Sequence, residues 1–207
     1  GYLERTQGGA IQTMKNYYNL EFQRRKQEHM ENKKAIAATA AGLVHDGDTL
    51  FINSGTTTYF TAVELKQRKN LNVVTNSISV AVELGGLPTF RVILLGGDIS
   101  AQYSFTYGED VKEQISRYRA NWAILSVDGI QPGAGITTYH AEESVIDRIM
   151  MERAQASIIV ADSTKLGRES FSRISALTPK TIILTDSGVN PEIASQIRAE
   201  GVDLRMI

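Results

Sequence analysis

The chain has 207 residues, 42% hydrophobic and 22% charged, which is the make-up of an ordinary globular protein larger than one average domain and smaller than two. Its lack of cysteine excludes a disulfide scaffold, cysteine-ligated zinc or iron–sulfur sites and a thiol nucleophile, and its three histidines (His29, His45, His140) are scattered along the sequence. A net charge of −1 lacks the basic excess with which a self-sufficient nucleic-acid-binding domain meets phosphates, and no apolar run approaches the roughly 18 residues of a membrane helix.

The charge is unevenly spread. Residues 1–34 hold seven Lys and Arg against four Asp and Glu, while residues 35–207 hold fifteen against nineteen. Residues 1–18 show no apolar period and read as an irregular lead-in. From Asn19 a polar helix is expected that turns apolar at Ile36, Ala40 and Leu43 and is broken at His45-Asp46-Gly47-Asp48. Short runs rich in Val and Ile follow at 49–53, 71–75, 91–95, 122–127, 157–161, 181–185 and 203–207. Being mostly apolar on both faces, they predict strands of a sheet covered on both sides. Helical patterns fall between them at 57–68, 77–84, 108–117, 142–154 and 191–199, the last opened by Asn190 as cap and Pro191 in the first turn. Alternating strands and helices imply an open, mostly parallel, Rossmann-like α/β sheet with helices on both faces, preceded by a linker and a helix.

Ligands of such sheets bind at the carboxyl ends of the strands, so the strand ends carry the functional information. The first ends in Asn53-Ser54-Gly55-Thr56-Thr57-Thr58 and runs straight into a helix. Glycine allows a tight turn, helix-start amides point outward and hydroxyls add donors, which together form an anion cradle suited to phosphate. It is not a Walker loop, because no Gly-Lys-Ser/Thr follows. A plain Ser/Thr helix cap has the same residues. The second strand ends in Thr75-Asn76-Ser77, and the third in Leu95-Gly96-Gly97-Asp98, where two glycines admit close backbone approach. The fourth ends in Asp128-Gly129; its carboxylate can accept from sugar hydroxyls, although Asp-Gly is also a routine turn. Glu142-Glu143 open the next helix, either facing a ligand or favouring the helix dipole. The fifth strand ends in Ala161-Asp162-Ser163-Thr164-Lys165, placing a lysine in a loop. Five small, polar strand ends converging on one edge point to a pocket for a small hydroxylated anion.

With Asp46-Gly47-Asp48, Ser54-Gly55-Thr56-Thr57-Thr58, Val74-Thr75-Asn76-Ser77, Leu95-Gly96-Gly97, Val127-Asp128-Gly129-Ile130 and Ala161-Asp162-Ser163-Thr164-Lys165 in this order, the chain resembles the C-terminal effector domain of DeoR-type bacterial transcriptional regulators. The resemblance extends from residue 1 to residue 207. It implies a fold similar to ribose-5-phosphate isomerase and glucosamine-6-phosphate deaminase, and a phosphorylated sugar or related metabolite as effector. It further implies that Ser54, Gly55, Thr56, Thr57, Thr58 and Lys165 hold the phosphate. Asn76, Ser77, Gly96, Gly97, Asp128, Gly129 and one of Glu142 and Glu143 would line the sugar pocket. Residues 1–10 resemble the segment that joins this family's winged helix-turn-helix to its sensor domain, so residues 1–18 are expected to be a connector and 19–207 the sensor.

The isomerases carry Asp-Gly-Ala-Asp where this chain has Asp128-Gly129-Ile130-Gln131, and a Lys-Gly-rich stretch where it has Gln131-Pro132-Gly133-Ala134-Gly135. Proton transfer needs a positioned acid and base, so binding without turnover is expected, with no catalytic residue, metal or cofactor. The expected partners are the effector, DNA through an N-terminal helix-turn-helix domain that precedes Gly1, and copies of the chain in a homo-oligomer, in the cytoplasm and away from any membrane. The lead-in and first helix are the expected coupling elements. A stand-alone sugar-phosphate isomerase or deaminase, with Glu142 or Glu143 as base, is the alternative.

Overall fold

A strand that is apolar on both faces is stable only where both faces are covered, and the sheet meets that requirement. The computed structural model describes residues 3–6, 9–12 and 20–207. Seven strands form its central sheet: β3 (Thr49–Ile52), β4 (Asn72–Thr75), β5 (Arg91–Leu94), β8 (Ala120–Leu125), β11 (Ala154–Val160), β13 (Thr181–Thr185) and β14 (Asp203–Met206). They lie in the order β14-β13-β11-β8-β3-β4-β5 and every neighbouring pair is parallel. All seven expected strands are present, with ends shifted by up to three residues.

Side-chain alternation splits the strands between two apolar cores. Leu50, Ile52, Ile124, Ile158 and Leu184 pack with Ile36 and Ala40 of α2 (Met30–Gly42), Leu65 of α3 (Thr56–Leu65) and Leu84 of α4 (Ile78–Leu84). Phe51, Ala123, Leu125, Ile159 and Ile183 point the other way. They meet Ile115 of α5 (Glu109–Ile115), Ile146 and Met150 of α6 (Ala141–Arg153), and Ile197 of α7 (Pro191–Ala199). Each fully buried Leu or Ile contributes about 1.5–3 kcal/mol, so the two cores fix the register from both faces.

From β3 the chain builds outward through β4 and β5, then returns to place β8 on the other side of β3. Loops leaving β3 and β8 therefore diverge, and a crevice opens at the carboxyl ends of this pair.

Several elements depart from the expected pattern. The helix expected from residue 19 to 43 is two helices, α1 (Leu20–Gln27) and α2, separated at His29, whose φ of 51° is left-handed. A hairpin of β6 (Asp98–Ser100) and β7 (Phe105–Tyr107) follows β5, and β9 (Gly129–Gln131), β10 (Gly135–Thr138) and β12 (Ser172–Ser175) make a second, antiparallel sheet. In the lead-in, β1 (Leu3–Thr6) pairs antiparallel with β2 (Gly9–Gln12), so this part is not irregular; the remainder of 1–18, and Asn19, lie outside the described residues. Among the described residues no helix is long and apolar enough to cross a membrane.

Candidate functional site

The crevice between β3 and β8 is held by one buried amide. Asn53 donates from Nδ2 to the Ser126 carbonyl (3.0 Å) and to Asp147 Oδ2 (3.0 Å), and its Oδ1 accepts from the Ser126 N–H (2.9 Å). This clamp brings the Ser54-Gly55 turn against the loop after β8. A Cβ at Gly55 would lie 2.5 Å from Ser126 Cβ, so the approach requires glycine. Gly55 caps α3, whose first amides have no partner within the helix.

Two compartments lie side by side here, sharing Arg25, Ser126 and Val127. The outer one, about 320 Å³, runs along Thr56 and Thr57 to Asp162, Lys165 and Arg168, and is roofed by Arg25, Glu28, His29 and Lys33. Its charged lining is four cations, Arg25, Lys33, Lys165 and Arg168, against two carboxylates, Glu28 and Asp162. Lys33 is buried, and its ammonium donates to the carbonyls of Arg25 (2.6 Å) and Glu28 (2.7 Å) at the end of α1. Burial lowers its pKa, and the nearby Asp162 charge works against that fall. Asp162 caps the short turn Ser163–Lys165 through the Thr164 N–H and hydroxyl, which holds Lys165 at the cleft.

The inner compartment is lined by Ser54, Asp128, Thr138, Glu143 and an aromatic wall of Tyr103 and His140, whose ring centroids are 4.3 Å apart. Burial works to raise the pKa of Asp128, but Arg25, the Tyr139 N–H, Lys165 and the Thr138 hydroxyl outweigh it and hold the carboxyl below its usual range. Burial, then the Asp128 charge, push Glu143 up to about 8. Geometry agrees. Thr138 Oγ1 lies 3.1 Å from both Asp128 Oδ2 and Glu143 Oε2, yet a hydroxyl has one proton. With Glu143 protonated the chain closes, Glu143 donating to Thr138 and Thr138 to Asp128. One helical turn on, Asp147 is fully buried, and its Oδ1 has no partner among the described residues; burial and then Glu143 raise its pKa well above the ordinary value.

Of the expected site residues, the structure brings Ser54, Gly55, Thr56, Thr57, Lys165, Asp128 and Glu143 to the two compartments. Thr56 and Thr57 use neither hydroxyl in a hydrogen bond within the described residues, whereas Thr58 donates back to the carbonyls of Asn53 and Gly55. Glu142 is exposed on α6, and Glu143 is the one that faces inward. Asn76, Ser77, Gly96, Gly97 and Gly129 line neither compartment. Asn76 donates to the Thr106 carbonyl and Ser77 caps α4. Gly96 pairs with Gln114, Gly97 lets the Tyr107 carbonyl approach closely, and a Cβ at Gly129 would meet Thr137 Oγ1 at 2.6 Å.

Arg25, Lys33, Tyr103, His140 and Arg168 join the site without having been expected. The basic bias of residues 1–34 was the only signal for the first two; the β6–β7 hairpin, tied by Ser54 Oγ to the Tyr103 carbonyl (3.1 Å), brings the third. Among the described residues no three His, Asp or Glu side chains cluster in a way that could hold a metal ion.

The chain matches the family model described as the DeoR C-terminal sensor domain over residues 28–187. It is 33% identical over 200 residues to the HTH-type transcriptional repressor GlcR of Bacillus subtilis, covering 97% of this chain and 77% of that protein. It is 30% identical over 169 residues to the glycerol-3-phosphate regulon repressor of Escherichia coli, covering 82% and 67%. Among solved structures it is similar to ribose 5-phosphate isomerase A from Neisseria gonorrhoeae, with 17% identity and a TM-score of 0.49, over 70% of this chain and 55% of that one. On the family match over residues 28–187 and the 33% identity to a relative over 97% of the chain, the chain belongs to the family of DeoR C-terminal sensor domains.

Proposed function

We propose that this sensor domain binds a phosphorylated sugar or related metabolite in the crevice between β3 and β8 and thereby alters DNA binding by a helix-turn-helix segment N-terminal to it, as part of a cytoplasmic, homo-oligomeric repressor of sugar-metabolism genes. Residues 1–18 are the connector in this reading. The observation that carries it is the outer compartment: cations outnumber carboxylates four to two around the unpaired amides and free hydroxyls at the start of α3. A phosphomonoester, with a charge of about −1.5 to −2 and three acceptor oxygens, matches that excess. Thr56, Thr57 and Lys165 take the phosphate, with Ser54, Gly55 and Thr58 shaping the turn. Asp128 and the protonated Glu143 take sugar hydroxyls as acceptor and donor. The relatives named as transcriptional repressors support the regulatory role.

Thermal unfolding in the presence of ribose 5-phosphate, glucose 6-phosphate, fructose 6-phosphate and glycerol 3-phosphate tests the reading. A ligand at about 100 times its Kd adds about 2.7 kcal/mol of stability. Lys165→Ala and Thr57→Val each weaken that response, and variants that respond as strongly as the parent contradict the assignment.

An isomerase reading draws on one observation, the buried Glu143 beside Asp128, which resembles an acid–base pair. Binding without aldose–ketose interconversion excludes it, and turnover by the purified chain overturns the sensor reading.

A further inference from the structure

α1 is attached to the domain mainly by polar contacts, and those contacts end in the cleft. Among residues 21–27 only Phe22 is buried; it packs edge-on against Tyr59 at 5.7 Å and belongs to neither apolar core. Lys26 lies 4.0 Å above the same Tyr59 ring. The remaining ties are Lys33, which caps the last carbonyls of α1, and Arg25, whose Nη2 is 3.7 Å from Asp128 Oδ1. His29, the joint with α2, holds a left-handed conformation that a side chain of its kind adopts at a cost, and no side-chain bond caps α2 there.

Among the described residues Arg25 is the one charged side chain that lines both compartments. At 3.7 Å it attracts Asp128 without forming a hydrogen bond, and its guanidinium makes none to the described residues. Lys165 stands equally off the same oxygen, at 3.9 Å. Asp128 already accepts from Thr138 and Tyr139 through its other oxygen. Two cations thus converge on one carboxylate oxygen at distances that leave the five guanidinium donors open, and a phosphate oxygen can take them as a forked pair.

We propose that Arg25 is exchanged between Asp128 in the free protein and the anion of the bound effector, so that filling the cleft re-docks α1 about His29. The inference rests on the effector reading above and names its coupling residue. α1 stands between the β1–β2 hairpin and the first strand of the sheet, so its docking is what the proposed N-terminal segment would read. A ligand shifts such an equilibrium only by binding the two dockings differently, and a contact made from α1 itself supplies that difference.

Hydrogen–deuterium exchange of residues 20–29, with inorganic phosphate and ribose 5-phosphate as probes, tests it beside thermal stabilisation by the same probes. Phosphate slows exchange in this segment several-fold in the parent protein. Arg25→Gln abolishes that change and weakens phosphate binding by about tenfold, and Arg25→Lys restores part of both. Asp128→Asn acts in the opposite sense: exchange in 20–29 is faster without phosphate, and phosphate binds several-fold more tightly because its competitor is gone. A parent protein stabilised by the probes with unchanged exchange in 20–29, or an Asp128→Asn variant that loses phosphate affinity as Arg25→Gln does, overturns the inference and leaves the effector reading standing. If neither probe stabilises the parent, both fall together.

Discussion

Glu143 illustrates how one buried side chain sets the chemistry of the inner compartment. It stands between Asp128, which Arg25 and Lys165 keep ionised, and Asp147, which is wholly buried on the same face of α6. Its carboxyl, ordinarily near 4.5, is pushed up to about 8 by burial and by the Asp128 charge. A raised pKa means that the folded protein holds a proton which the unfolded chain has already released. The stabilisation is complete below about 4.5 and is lost as pH rises towards about 8. Asp147, raised by burial and by Glu143, slopes the same way. Glu143→Gln therefore flattens the fall of Tm between about pH 4.5 and about pH 8 without abolishing it. Equal slopes for variant and parent contradict a protonated Glu143. Glu142-Glu143 was legible in the sequence as a pair at a helix start, but which carboxylate faces inward depends on how α6 packs on the sheet, and no local pattern encodes that.

At the scale of elements, the crevice exists because β3 and β8 are neighbours whose connections diverge, and Asn53 is what ties their loops. All three of its side-chain hydrogen bonds are in the crevice floor, two to the Ser126 backbone and one to Asp147. Asn53→Ala leaves those groups buried and unpaired and costs about 2–3 kcal/mol, measured as the shift in urea unfolding free energy. A loss within about 0.5 kcal/mol, the range of a neutral surface change, would falsify the clamp. The sheet strands were legible because most are short runs rich in Val, Ile or Leu and apolar on both faces. β9, β10 and β12 were not, since three- and four-residue strands with a single Ile each carry no apolar run, and β10 pairs with β12 across about 35 positions. The break at His29 was hidden for a different reason. Residues 23–29 are polar throughout, and helix propensity runs unbroken across a joint that is made by Lys33 capping α1 from below.

On the scale of the whole molecule, the near-neutral chain divides its charge by place. The first 34 residues supply Arg25 and Lys33, and the later loops supply Lys165 and Arg168; these four meet over one sheet edge. That edge was legible in Ser54–Thr58, Asp128 and Lys165, because a parallel sheet puts every such loop on the same side. Asn76, Gly96 and Gly97 lie at the same edge by the same logic, but the hairpin of β6 and β7 takes Asn76 and Gly97, and Gln114 of α5 takes Gly96. The contribution of α1 could not be read locally, since it depends on a helix outside the alternating pattern folding back over the crevice. A crevice built for phosphate selects phosphorylated ligands. Calorimetric titration of the chain with a sugar phosphate that stabilises it, and with the same sugar without its phosphate, tests this selectivity. Saturable binding is expected for the phosphorylated form and at least a hundredfold weaker binding, about 2.7 kcal/mol, for the other. Equal affinity for the two would contradict it.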